Sequence, residues 1–232
     1  MKKIIVFVLV MAPGLFVFSQ AKKKTVMPAS SGPALKTSGD SISYAIGLSV
    51  AGFFKEQGIL SVNTSLVSKA INDILKNGKP QLNEQQANGV IMACVQRIKE
   101  GKSASNKKAG EEFLTANKTK PGVVALPSGL QYIVLKEGTG PKPLATDKVK
   151  CHYQGTLLDG TIFDSSIQRG QPIDFSVTGV IPGWTEALQL MPVGSKWRLF
   201  IPASLAYGDQ QAGKISPGST LIFEVELLEI VK

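Results

Sequence analysis

The hydrophobic periodicity of this chain changes near Lys120, and this change constrains the fold more than any other feature. Before Lys120, apolar residues recur every three or four positions, which is the spacing of amphipathic helices. After it, apolar and polar residues alternate in short runs separated by turn residues, which is the pattern of β-strands. A chain of 232 residues can hold both regions. The sequence therefore predicts a helical domain at residues 40–120 followed by a sheet-containing domain at residues 121–232.

Three helices are predicted in the first region. Asp40 is expected to cap the first helix, and Asn63 is expected to start a second that stops at the turn sequence "NGKP". Asn83 starts the third, whose apolar stripe runs as far as Ile98. Beyond Ile98 the stripe fades, so the segment up to Lys120 is predicted to be either a long helical arm without a core of its own or a frayed linker.

The first 39 residues carry a different signal. Residues 1–21 have a charged start, an apolar middle and a small-residue exit, which together indicate a cleavable secretory signal peptide. A membrane anchor is the alternative, but the apolar stretch falls short of the ~20 residues that span a bilayer. Residues 22–39, rich in Lys, Ser, Pro and Gly, are predicted to be a flexible leader. We therefore expect a periplasmic or secreted protein with no stable membrane span after signal removal.

The formal net charge is +9, and the excess lies in the amino-terminal half. Such an excess can indicate a nucleic-acid or anionic-membrane partner. The lysines are, however, scattered at helical spacings with no aromatic platform beside them, which favours solvated helical faces and no nucleic-acid partner. Cys94 and Cys151 lie in different halves and are expected to be unpaired.

The second region predicts a curved antiparallel sheet closing over one short helix. Asp159-Gly160 marks a tight hairpin, because this pair tolerates the positive φ values of such a turn. The short helix begins in "VIPGW", with Trp184 in its first turn, where a packing helix would more often have a polar cap. Trp184 is thus either ordinary core or the floor of a cavity between helix and sheet. The predicted fold class is α+β.

The residues available for chemistry are mostly aromatic. No nucleophile motif, metal-ligand spacing or phosphate-binding glycine loop is present, and the single histidine, His152, is expected at the surface. No metal and no cofactor are therefore expected. Asp164 and Arg169 are the notable polar residues among the aromatics. Those aromatics, which lie at strand ends and turns, are Tyr153, Phe163, Phe175, Trp184, Tyr207 and Phe223.

Four stretches of the second region resemble the successive signatures of the FKBP-type peptidyl-prolyl cis-trans isomerases: "VKCHYQGTLLDGTIFDSS", "VIPGW", "IPASLAYG" and "STLIFEVELLEI". Two further stretches, "DSISYAIGLSVAGFF" and "AGEEFLTANKTKPGVVALPSGLQY", resemble the bacterial subgroup with a helical dimerisation domain, the macrophage infectivity potentiator and FkpA-like proteins. The first resemblance spans residues 129–232 and implies an FKBP-like sheet wrapped around one helix.

The resemblance also implies a prolyl pocket with Trp184 as its floor. It implies catalytic roles for Asp164, Tyr207 and Ile181, in which the Ile181 N–H and the Tyr207 hydroxyl hold substrate carbonyls, and Asp164 acts electrostatically or orients Tyr207. The substrate-binding residues are expected to be Tyr153, Phe163, Phe175, Val180, Trp184, Ile215 and Phe223. Ile173, Lys214 and Ser216 depart from residues common in the family, which bears on substrate preference.

The implied function is isomerisation of X-Pro bonds in folding proteins, with chaperone-like help from the helical domain. The implied partners are proline-containing unfolded or partly folded proteins, a second copy of the chain bound through the amino-terminal helices, and macrolide-type inhibitors. The alternative is a holdase or binding module with a weak or vestigial isomerase site.

Overall fold

The computed structural model describes residues 35–231. The predicted signal peptide and most of the predicted leader lie outside these residues. By its internal contacts the chain divides after Ser49 into two units. Helix α1 spans Ser38–Glu56, α2 spans Thr64–Leu75 and α3 spans Glu84–Asn117. The α+β prediction, with helices preceding an antiparallel sheet, is confirmed.

Helix α1 begins at Ser38, three residues earlier than a cap at Asp40 predicts, and the residue that caps it is different. The backbone N–H of Asp40 donates to the Thr37 hydroxyl at 3.0 Å, and the N–H of Thr37 donates to Asp40 Oδ2 at 2.8 Å. This reciprocal arrangement makes Thr37 the cap and places Asp40 in the first turn. The expectation that Asp40 itself is the cap was therefore wrong, because a threonine three residues earlier completes a capping box.

The caps predicted for the next two helices are confirmed. The Asn63 side chain accepts from the N–H groups of Ser65 and Leu66, and Asn83 forms a capping box with Gln86. Helix α3 then runs without interruption for 34 residues. The frayed-linker alternative is wrong. Among the described residues before Ser103 none is buried, so the apolar side chains of α2 and early α3 lack cover within one chain.

Seven strands form one antiparallel sheet in the order β1-β2-β6-β7-β3-β4, with β5 also paired to β3. The alternating runs after Lys120 form the strands of this sheet, except β1, which with two residues is too short to show an alternating pattern. The bounds are β1 Val124–Ala125, β2 Gln131–Lys136, β3 Lys148–Thr156, β4 Ile162–Ser165, β5 Ile173–Ser176, β6 Lys196–Ile201 and β7 Leu221–Val231. The Asp159-Gly160 hairpin is confirmed, with Gly160 at φ +84°.

The core lies between this sheet and helix α4, Pro182–Leu190. Alternate residues of β3 and β7 point into it, because side chains on successive strand positions face opposite sides. Both cysteines are free. Cys151 is fully buried, and this burial raises the pKa of its thiol to about 12, with a smaller contribution from Asp174. It is therefore a packing residue of the core rather than a reactive group.

Candidate functional site

Helix α4 places Trp184 at the centre of an aromatic cluster. Ile181 is the cap residue, in extended conformation, and Pro182 occupies the first turn, where a missing N–H costs nothing. Gly183 follows because a Cβ there would lie 2.6 Å from Ile201 Cγ2. This close approach brings the start of α4 against the sheet. The next residue, Trp184, is 3% exposed.

Three rings from three different strands meet the Trp184 indole edge to face. The ring centroids lie at 5.3 Å for Tyr153, 5.4 Å for Phe175 and 5.2 Å for Phe223. Such geometry is favourable because the positive edge of one ring meets the negative face of another. Gly155 makes room for the cluster, since a Cβ there would lie 2.5 Å from the Phe163 ring. The indole thus has rigid aromatic walls.

The rings border a cavity of about 590 Å³. All ten residues that the family resemblance places in the pocket line it. These are Tyr153, Phe163, Asp164, Phe175, Val180, Ile181, Trp184, Tyr207, Ile215 and Phe223. Four more lining residues, Gly179, Ala212, Gly213 and Lys214, were not in the predicted set. Glycine and alanine carry no chemical signal in a sequence, so only the path of the folded backbone reveals the position of three of these residues. Lys214 was noted in the sequence only as a departure from the family.

Asp164, Tyr153 and Arg169 form a hydrogen-bonded cluster at one side of the cavity. The Tyr153 hydroxyl donates to Asp164 Oδ2 at 2.6 Å, and Arg169 forms an ion pair with the same carboxylate. Arg169 Nη2 also donates to the Tyr153 hydroxyl oxygen at 2.7 Å. The hydrogen bonds of Asp164 go to Tyr153 and Arg169 and not to Tyr207, so of its two expected roles they lend no support to the orienting of Tyr207. Within the described residues the Tyr207 hydroxyl makes no hydrogen bond, and this side chain is 40% exposed.

The protonation states of this group follow from burial and hydrogen bonding. Burial acts to raise the pKa of the Asp164 carboxyl, but hydrogen bonds from Arg169 and Tyr153 outweigh it, so that the pKa lies below its ordinary value of 3.8. Burial, helped by the bond to Asp164, raises the pKa of Tyr153 above its ordinary value of 10.0. At neutral pH the cavity therefore contains a carboxylate and a neutral phenol.

We expect kcat/KM for a proline-containing peptide to be flat between pH 6 and pH 8. In this interval Asp164 stays ionised and Tyr153 stays neutral, and His152 does not line the cavity. Because the folded-state pKa of Asp164 is lowered, the pair stabilises the fold above the ordinary carboxyl range and loses that contribution as pH falls through the lowered pKa. A pH–rate profile checks the expected flat kcat/KM, and a bell-shaped profile within pH 6 to 8 would indicate proton transfer instead.

Two further hydrogen-bonding groups belong to residues that line the cavity. In the described part of the chain the backbone N–H of Ile181 has no acceptor. The Tyr207 hydroxyl likewise has no hydrogen-bond partner among these residues. Both Ile181 and Tyr207 line the cavity. An apolar cavity with a few convergent polar groups is the usual form of a site for a small ligand or peptide segment.

Comparison with known proteins gives two family matches. A model described as "FKBP-type peptidyl-prolyl cis-trans isomerase" matches residues 140–228. A second, described as "Domain amino terminal to FKBP-type peptidyl-prolyl isomerase", matches residues 39–134. Together they cover most of the described chain.

Similar proteins extend this result over nearly the full length. The chain is 45% identical to the Outer membrane protein MIP of Legionella longbeachae over 216 residues, which covers 90% of this chain and 92% of that protein. It is 43% identical to the FKBP-type 22 kDa peptidyl-prolyl cis-trans isomerase of Escherichia coli (strain K12), covering 86% of this chain and 98% of the other. The crystal structure of FkpA from Escherichia coli superposes with a TM-score of 0.66 at 34% identity, covering 85% of this chain and 98% of that one.

The comparisons agree with the fold, and they give no support to the alternative of a binding module with a vestigial site. The chain therefore belongs to the FKBP-type peptidyl-prolyl cis-trans isomerases, in the subgroup of Mip and FkpA, and is an enzyme of that type.

Proposed function

We propose that the aromatic cavity is the site where the proline of the substrate is bound and its preceding peptide bond rotates. Trp184 forms the floor on which the prolyl ring rests. The N–H of Ile181 and the hydroxyl of Tyr207 donate to substrate carbonyl oxygens, and Asp164 acts electrostatically near the rotating carbonyl. The observation that carries the proposal is the aromatic cavity, which Ile181 helps to line and whose Ile181 N–H has no acceptor among the described residues.

The chemistry of rotation suits this set of residues. Rotating an X-Pro bond breaks amide resonance, against a barrier of about 18–20 kcal/mol for peptide bonds. The twisted transition state has lost part of the charge separation of the planar amide, so water stabilises it less than the ground state. An apolar cavity removes that advantage of the ground state, and fixed donors at the rim hold the twisted geometry.

The substitution Ile181→Pro tests the proposed donor. Ile181 has φ −60°, which proline adopts without strain, so this change removes the N–H while keeping the local φ. One net hydrogen bond is worth about 0.5–1.5 kcal/mol, so we expect kcat/KM to fall about two- to tenfold. Ile181→Val is the matched control because it keeps the N–H. Equal activity in the two variants would show that the Ile181 N–H takes no part in the mechanism.

A macrolide-type inhibitor should compete with peptide for the same cavity.

The amino-terminal helices support a second part of the proposal, which is a homodimer with chaperone-like action. Large apolar side chains remain exposed in a single chain, among them Leu66, Ile74 and Val90. Pairing with a second chain would cover them, because a C2 interface uses the same patch twice. Two linked sites raise the avidity for one unfolded substrate without new contacts. We keep the division into residues 40–120 and 121–232 as part of this proposal.

Export completes the proposal. The first 21 residues read as a secretory signal, and the relative from Legionella longbeachae is named an outer membrane protein. Between residues 35 and 231 no helix is both long and apolar enough to cross a bilayer. We propose a periplasmic or secreted enzyme that acts on proline-containing proteins as they fold. Mass spectrometry of the protein purified from the periplasmic fraction or the medium tests this, and an amino terminus near residue 22 is expected.

A further inference from the structure

One wall of the cavity is a loop, residues 207–219, here called the pocket loop. Its tip, residues 212–215, lines the cavity, and the two ends of this tip exchange backbone hydrogen bonds of 3.0 and 2.9 Å. Its base is closed by a bond of 2.8 Å from the N–H of Gly218 to the carbonyl oxygen of Gly208. The tip therefore faces substrate, while the base carries the contacts that hold the loop in place.

The base of the pocket loop is bonded to the second half of α3. The Ser103 hydroxyl donates to the Asp209 carboxylate, and Lys107 Nζ lies 2.6 Å from Asp209 Oδ1. Asn106 Nδ2 donates to the carbonyl oxygen of Pro217 at 2.8 Å. The three helix residues share one face because positions three and four apart are neighbours on a helix. Both ends of the loop base are thus bonded to one turn of α3.

Close packing accompanies these bonds. A Cβ at Gly110 of α3 would lie 2.1 Å from Thr220 Oγ1, and a Cβ at Gly218 would lie 2.5 Å from the backbone oxygen of Ser103. Ser103 and Gly110 are both buried. Helix α3 therefore packs so closely against Gly218 and the adjoining Thr220 that a Cβ at Gly110 or Gly218 would force a neighbouring atom to shift. Small and polar residues, rather than large apolar ones, are the buried residues of this part of α3.

We propose that residues 103–110 of α3 are a positioning element of the isomerase site, which holds the pocket loop so that Tyr207 and Ile215 face the substrate. Asp209 follows Tyr207 by two residues and Pro217 follows Ile215 by two, so each anchored residue sits beside a cavity residue. This inference rests on the proposed assignment of the cavity. When the anchor is released, the loop occupies competent conformations for only a fraction of the time. The apparent affinity then falls by that fraction while kcat at saturation is unchanged.

The test introduces a steric conflict on the helix side, between two residues that do not line the cavity. Gly110→Ala in the full chain is expected to raise KM for an Xaa-Pro peptide about three- to tenfold, with kcat unchanged. Gly101→Ala is the matched control, since a Cβ at Gly101 has nothing within 4 Å, and its KM should equal that of the unsubstituted chain. Adding Thr220→Ala to Gly110→Ala removes the conflicting oxygen and should restore KM. Faster amide hydrogen exchange in residues 207–219 without substrate reports release of the loop independently of activity.

A second variant removes the bonds without a conflict. Ser103→Ala combined with Lys107→Ala deletes both partners of Asp209 on the helix, and a smaller rise in KM in the same direction is expected. Unchanged KM in this variant and in Gly110→Ala would overturn the inference. So would a rise in KM that Thr220→Ala fails to reverse. Faster exchange in the loop with unchanged KM would show that α3 holds the loop without positioning the site, which overturns the inference and leaves the cavity assignment standing. An inactive unsubstituted chain would instead contradict the isomerase function itself.

Discussion

Replacing Trp184 by alanine is expected to lower kcat/KM for an Xaa-Pro peptide about ten- to a hundredfold. The indole lies at the centre of the aromatic cluster that lines the proposed pocket, and three rings hold it in one orientation. Burying an apolar side chain is worth about 1.5–3 kcal/mol. If the prolyl ring loses that contact in the transition state, the loss corresponds to the expected fall in rate. The measurement is a protease-coupled or fluorescence assay of cis-to-trans conversion.

Trp197 provides a matched control for this prediction. It is buried to nearly the same degree, at 4% exposure, but it stacks on Tyr132 at 4.1 Å and does not line the cavity. Each alanine variant should lose about 3–5 kcal/mol of unfolding free energy. Activity is therefore compared well below the measured unfolding temperature of both. Full activity in folded Trp184→Ala, or an equal loss in Trp197→Ala, would contradict the role of Trp184 as the floor of the pocket.

Removing the residues before Lys99 is expected to separate two activities. The shortened chain keeps the anchoring half of α3 and the whole sheet core, so its KM for a short peptide should stay within about twofold of the full chain. Its effect on proline-limited refolding of a protein should fall about tenfold or more, because a second contact with the same unfolded chain is lost. Parallel peptide and refolding assays measure both, and sedimentation of both chains measures the proposed dimer.

A point variant tests whether pairing, rather than the extra surface, is responsible. Ile91 lies on the exposed apolar side of α3 and is 45% exposed in one chain. Ile91→Asp should give a full-length monomer, since an unpaired charge is costly at an apolar interface. This monomer should refold substrates as slowly as the shortened chain. If the full-length enzyme is a monomer, or if the shortened chain refolds substrates equally well, the dimeric part of the proposal fails while the isomerase assignment stands.

The sequence by itself determined the features that depend on residues near one another in the chain. The change of period near Lys120, the caps Asn63 and Asn83, and the Asp159-Gly160 hairpin were all predictable, because local propensities and hydrogen bonds control them. Motif resemblance extended this to the ten cavity residues, since the family motifs already encode their spatial proximity. The predicted cap of α1 was wrong although it too depends on neighbouring residues, because both Thr37 and Asp40 are residue types that cap helices.

Tertiary structure decided what depends on pairs of residues far apart in the chain. The Asp164 carboxylate pairs with Tyr153 and Arg169 rather than Tyr207, because the folded strands bring those groups within hydrogen-bonding distance. The contact of α3 with the pocket loop is a stronger case. Its residues are serine, glycine and asparagine, which carry no hydrophobic period, so no pattern in the sequence announces a buried face. Only the fold shows that a Cβ at Gly110 would meet Thr220, because the two residues are 110 positions apart in the chain.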